Sequence, residues 1–236
     1  MKVYRADWVL PISDEPRADA WVATDRGRIT AVGEPASAVP PNAIDLGSVV
    51  VMPGLVNAHT HLELSYLHAV IPPARRFHDW ILEIIRLRRE YPDPADPHIL
   101  EAAQRGIRQA MAAGTALVGD ISNTLVTHPL LVEAGLPAVL FYELLGFNTP
   151  DPEGVVAVAR ARLAALPSSA DVRTTLAPHA PYSVSPDLFG AIRGDVDRAG
   201  DYTSTVHLGE SPEEVEFLRS GTGPSRDHLE SLGLWT

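Results

Sequence analysis

From residue 53 onward the chain alternates, and the alternation limits the architectures open to it. Short β-rich apolar runs lie near residues 49–57, 115–121, 137–144, 172–178 and 203–208. Between them are stretches with helical spacing. Over Phe77–Glu90, Trp80, Ile81, Ile84, Ile85 and Leu87 recur near the period of an α-helix, and Pro92, Pro94 and Pro97 break the pattern. Further helices are expected over Ile99–Ala113, stopped by Gly114, and over 127–134, 153–165, 186–199 and 212–220. Strands alternating with helices predict a parallel sheet wrapped by helices.

Three of the five strands end in residues able to bind metal or move protons: His59 and His61, then His179, then His207 with Glu210. Such residues at the carboxyl ends of several strands mark a (β/α)8 barrel or a doubly wound sheet. No glycine-rich phosphate loop follows the first strand, which disfavours a nucleotide-binding sheet. A closed barrel needs eight strands and about 250 residues, and residues 53–236 hold only five units. The expected fold is therefore α/β: the first five units of a (β/α)8 barrel, in the N-terminal portion of a longer protein. A smaller open sheet is the alternative. Residues 1–52 read as small strands: VYRADWVL, then a hairpin in DAWVATDRGRITAVG around Asp25-Arg26-Gly27, then IDLGSVVV. A piece of that size is too small to be stable alone.

The densest chemistry is in MPGLVNAHTHLELS, residues 52–65. Alternate side chains of a strand share a face, so a strand ending in H-x-H presents His59 and His61 together. Neutral imidazole is the commonest protein ligand for zinc and also suits iron. Alone, H-x-H is equally a pair of structural histidines. Context raises the metal reading: Pro53-Gly54 redirects the chain before the strand, and Asn57 and Thr60 are polar where a buried strand carries Val or Ile. His207 alone reads as the end of a strand, and His179, between Pro178 and Pro181, reads as well as a buried structural residue. Glu210 precedes Glu213, Glu214 and Glu216, acids that favour a helix N-terminus. Glu63, two residues after His61, is either a substrate contact or a solvated or helix-capping acid. His68, His78, His98, His128 and His228 default to the surface.

Composition removes several classes. The chain has no cysteine, hence no disulfides or thiolate ligands. Its formal net charge of −11, without a basic stripe, disfavours a nucleic-acid partner. No apolar run approaches the roughly 18 residues of a membrane span, and the N-terminus lacks a signal peptide's apolar centre. The expectation is a cytoplasmic protein with a small-molecule substrate, for which a homodimer is open.

PGLVNAHTHLELS resembles the first-strand signature of the amidohydrolase superfamily, closest to its mononuclear-metal deaminases and chlorohydrolases. LAPHAPYS and HLGES resemble the fourth- and fifth-strand motifs of the same group, and together the three are most similar to aminodeoxyfutalosine deaminase-like proteins. The resemblance implies His59, His61 and His207 as ligands of one divalent ion, zinc or ferrous iron. It implies Glu210 as proton shuttle and His179 at the substrate. It also implies that residues 1–52 contribute to a composite β-sandwich. Superfamily members with two metals bridge them by a lysine after strand four. Here Lys2 is the only lysine, so a single metal is expected. The implied function is hydrolytic deamination of an amino-substituted nitrogen heterocycle. Alternatives are hydrolytic dechlorination, another C–N hydrolysis, or a truncated non-catalytic paralogue acting as a binding protein. The group's further His after strand six and Asp after strand eight have no counterpart in these residues. The chain as written is therefore expected to bind metal weakly and turn over little substrate.

Overall fold

The computed structural model describes residues 1–33, 37–72, 76–201 and 203–235. Two compact units divide at Leu55 and Val56.

The first unit is a sheet of β1 (Lys2–Val9), β2 (Arg17–Asp25), β3 (Arg28–Val32), β4 (Ile44–Asp45) and β5 (Val50–Val51). β1 and β2 pair antiparallel, β2 and β3 form the expected hairpin, and both β4 and β5 lie parallel to β1. The hairpin turns on Arg26 and Gly27, both at positive φ, as a two-residue turn of matching twist requires. Val9, Ala20 and Val22 are the buried cluster of this sheet.

The apolar run near 49–57 is not one strand. β5 ends at Val51, and β6 begins after Pro53-Gly54, spanning Leu55–Thr60. Proline has no N–H to give a ladder, so the same residues that redirect the chain also divide the run between two sheets.

In the second unit, β6, β7 (Thr115–Ser122), β8 (Ala138–Leu144) and β9 (Val172–Pro178) lie side by side in chain order. β7, β8 and β9 pair in parallel. The last five residues of both β7 and β8 are buried, as for parallel strands covered on both faces. Helices fill the connections: α1 (Phe77–Arg88) and α2 (Pro97–Ala112) after β6, α3 (Thr127–Ala134) after β7, α4 (Pro152–Ala164) after β8, and α5 (Pro186–Ala199) after β9. α6 (Pro212–Ser220) and α7 (Pro224–Ser231) follow. Strand–helix units in this order make a partial (β/α)8 barrel. One buried cluster joins sheet to helices, from Val118, Leu140 and Leu176 to Leu131, Val156, Leu188 and Ile192.

Helix starts follow a repeated local code. Asp96, Asp151, Ser185 and Ser211 each cap a helix by accepting a backbone N–H, and each precedes a proline at the first helical position. α3, α5 and α6 stop at left-handed glycines 135, 200 and 221.

The expected fifth strand differs. Among the described residues, 203–208 form no ladder. A single backbone bond, His207 N–H to the His179 carbonyl at 2.8 Å, ties the segment to the end of β9. Ser204 explains part of this: its hydroxyl donates to the Leu176 carbonyl at 2.9 Å, competing for an acceptor that a ladder would satisfy from a backbone N–H.

Candidate metal centre

β6 carries His59 within the strand and releases His61 just beyond it, so the H-x-H spacing sets both rings on one side. His207 arrives on the segment after α5, held by its backbone bond to His179. The three rings meet. Nε2 of His61 lies 3.2 Å from Nε2 of His59 and 3.2 Å from Nε2 of His207. The ring centroids of His59 and His207 are 4.7 Å apart. Ligand atoms of all three fall within 4.8 Å of one another. Tetrahedral ligands at about 2.0–2.1 Å from a zinc ion are separated by roughly 3.3 Å, so the spacing suits one small cation.

For His59 and His61, protonation favours the same use. Burial holds His61 well below the usual imidazole range, at about 4, and burial followed by the neighbouring His207 lowers His59. Both shifts favour the neutral ring. Burial also acts to lower His207, but the Glu143 carboxylate beside it outweighs this and raises its pKa. Nδ1 of His207 lies 3.1 Å from the His179 carbonyl and 3.2 Å from Oε1 of Glu143. With two acceptors there, the proton belongs on Nδ1 and the lone pair on Nε2, facing the other histidines. With the three Nε2 atoms this close, their lone pairs would face a shared cation.

His179 stands beside the group, its ring 4.9 Å from that of His207. Ser183 Oγ donates to the Ala180 carbonyl, so it accepts from Nδ1 of His179. The Nε2 lone pair of His179 is thereby left available. Burial lowers the His179 pKa.

Glu210 follows the positive-φ Gly209 and precedes Ser211, the cap of α6. Its backbone N–H donates to Oε2 of Glu214 at 2.7 Å, and Glu214 is itself fixed by its N–H to Ser211 Oγ. The Tyr182 hydroxyl donates to Glu210 Oε2 at 3.4 Å. Burial raises the Glu210 pKa, the direction that suits a group taking up and returning a proton. His59, His61, His179, His207 and Glu210 line one cleft of about 350 Å³. The opposite wall is α1, with Phe77, Trp80, Ile81, Ile84, Ile85 and Arg88.

Glu63 departs from the expected substrate contact. It is 4% exposed and does not line the cleft. Its carboxylate accepts from Ser122 Oγ and Thr124 Oγ1, both at 2.6 Å, from the backbone of Asn123 and Thr124, and from Arg88. An acid following a strand end meets the turn after the neighbouring strand, and here that turn offers enough donors to occupy it. His128 is also not at the surface: it is 2% exposed within α3.

Two acids at strand ends escape a reading of the sequence. Glu143, near the end of β8, is 5% exposed. Its Oε2 accepts from Asn123 Nδ2 at 2.9 Å, and Asn123 Oδ1 accepts from Arg88 at 2.9 Å. The signal was a lone acid in LFYELLG, near the strand end as the histidines are near theirs. Asp120 in β7 is fully buried and accepts from the Leu62 N–H and the Thr127 hydroxyl.

Comparison with known proteins identifies the family. The model of the amidohydrolase family matches residues 50–234. Aminodeoxyfutalosine deaminase of Deinococcus radiodurans is 30% identical over 220 residues, covering 87% of this chain and 50% of that protein. The 5-methylthioadenosine/S-adenosylhomocysteine deaminase of Aquifex aeolicus is 27% identical over 224 residues, covering 90% and 50%. The crystal structure of Helicobacter pylori aminofutalosine deaminase in complex with methylthio-coformycin superposes with a TM-score of 0.82 at 25% identity. That match covers 98% of this chain and 56% of the other. The chain spans about half the length of the curated relatives it matches.

Proposed function

The chain belongs to the amidohydrolase family, and from that premise we propose that it serves metal-dependent hydrolytic deamination of an amino-substituted nitrogen heterocycle of purine or nucleoside type. The convergence of three imidazole Nε2 atoms beside Glu210 in one cleft carries the reading. Relatives named for deamination of aminodeoxyfutalosine and 5-methylthioadenosine support the substrate class.

His59, His61 and His207 would hold one divalent ion, zinc or ferrous iron. When bound, such an ion supplies Lewis acidity that lowers the pKa of a water toward neutrality. Glu210 then acts as base and acid in turn: its carboxylate accepts a proton from the attacking water and returns it to a ring nitrogen of the substrate. Tyr182 and Glu214 fix where that carboxylate sits. His179 presents Nε2 as an acceptor toward the heterocycle, and Glu63 holds the floor of the site rather than the substrate. The α1 wall excludes water from one side. The proton of the added hydroxyl passes to the amino group, the C–N bond breaks, ammonia leaves and a ring carbonyl forms.

An ammonia-release assay of the intact native protein against aminated purines and nucleosides tests the reading. Glu210→Gln is expected to lower the rate about 10²- to 10⁴-fold while leaving bound metal, measured by elemental analysis, unchanged. Ammonia release by Glu210→Gln at the unsubstituted rate would exclude this mechanism.

A further inference from the structure

We infer that Glu143 is the positioning residue of the metal centre, acting through His207. The inference rests on the reading of His207 as a ligand. Glu143 sits near the carboxyl end of β8, 5% exposed, with Oε1 3.2 Å from Nδ1 of His207. That Oε1 atom is buried and has no well-aligned hydrogen-bond donor. A buried carboxylate oxygen in that condition costs free energy unless a positive or strongly polarised group faces it. The Nδ1–H of a His207 whose Nε2 binds a cation is such a group, because coordination makes the remaining N–H more acidic. Binding at Nε2 and the position of Glu143 therefore support each other.

The other half of the carboxylate is anchored. Oε2 accepts from Asn123, Asn123 accepts from Arg88, and Arg88 also donates to Glu63. The chain of contacts runs from α1 through the turn after β7 to β8, and leaves Oε1 one direction in which to point. A carboxylate behind a histidine ligand fixes the ring's tautomer and raises its basicity. The His179 carbonyl, 3.1 Å from the same nitrogen, can fix the tautomer but brings no charge. What Glu143 adds is the negative charge.

Chelator-competition titration of zinc into the 236-residue protein tests this, with the visible spectrum of the cobalt(II)-substituted protein and thermal unfolding of the metal-free form as further readouts. Glu143→Gln, equal in size but uncharged, is expected to weaken zinc binding about 10- to 100-fold and shift the cobalt bands. Glu143→Asp is expected to recover part of the affinity. If Glu143→Gln binds zinc as the original does, with the same cobalt spectrum, the His179 carbonyl suffices and the inference is overturned while the metal centre stands. If the original chain binds no zinc, the metal centre falls and the inference with it. Should Glu143→Gln fail to fold, Asn123→Ala decides: it keeps the charge but frees the carboxylate, and unchanged zinc affinity and cobalt bands in that variant overturn the inference.

Discussion

Asp120 shows how the centre's surroundings titrate. It is fully buried, and burial pushes its pKa up to about 7, although the Thr127 hydroxyl and the Leu62 N–H pull the other way. In the unfolded chain an aspartate titrates near 4. The folded carboxyl thus holds its proton more tightly than the unfolded one. Its contribution to stability is full below about pH 4 and is lost as the pH rises through about 7. Asp120→Asn is expected to flatten that part of the pH dependence, by an amount on the order of a few kcal/mol, in urea unfolding measured at pH 5 and pH 7.5. The histidines and Glu210 were legible in the sequence because they stand in short motifs. Glu143 and the true setting of Glu63 were not, because their partners lie far along the chain. Glu63 is held by Arg88 and by residues 122–124, and Glu143 by Asn123 and His207. No local pattern announces such contacts.

Element boundaries were the best-marked part of the sequence, and the reasons are local. The Asp-Pro and Ser-Pro starts of α2, α4, α5 and α6 and the glycine stops of α3, α5 and α6 mark those ends to within about two residues. Strands depend on partners, and two expectations altered there: the run near 49–57 divides at Pro53-Gly54, and 203–208 remains outside the ladder. At Gly119 of β7 the backbone of β6 comes close. A Cβ built on it would lie 2.3 Å from the Ala58 carbonyl oxygen of β6, a backbone atom that cannot swing aside. Gly119→Ala is therefore expected to force β6 and β7 apart and cost about 1–3 kcal/mol, read from chemical denaturation. Displacing Ala58 also displaces His59, so the same variant is expected to bind zinc more weakly. A Gly119→Ala protein with unaltered stability would mean that β6 does not approach β7 so closely.

For the whole chain, the proposed metal centre would tie distant segments together. His59 and His61 are nearly 150 residues from His207, His61 and His207 being separated by 146 positions. A ligand that binds the folded state alone stabilises it by about 2.7 kcal/mol at 100 times its dissociation constant. Zinc is accordingly expected to raise the melting temperature, a chelator to reverse the rise, and His61→Ala to abolish it. No helix among the described residues is long and apolar enough to cross a membrane. The partial barrel itself was readable from alternation of strand and helix, since each unit must bury one face against the next. What the alternation could not convey was which acids stand behind the histidines, because that depends on neighbours across the sheet.

The reacting groups hang from strand ends and loops, whereas Phe77, Trp80, Ile81, Ile84 and Ile85 all belong to α1. Under the proposed function, α1 would select what enters while separate stretches of polypeptide perform the reaction. Exchanges along one helix can redraw the range of accepted molecules with the proton-handling groups untouched, so descendants of such a chain can diverge in diet long before they diverge in chemistry.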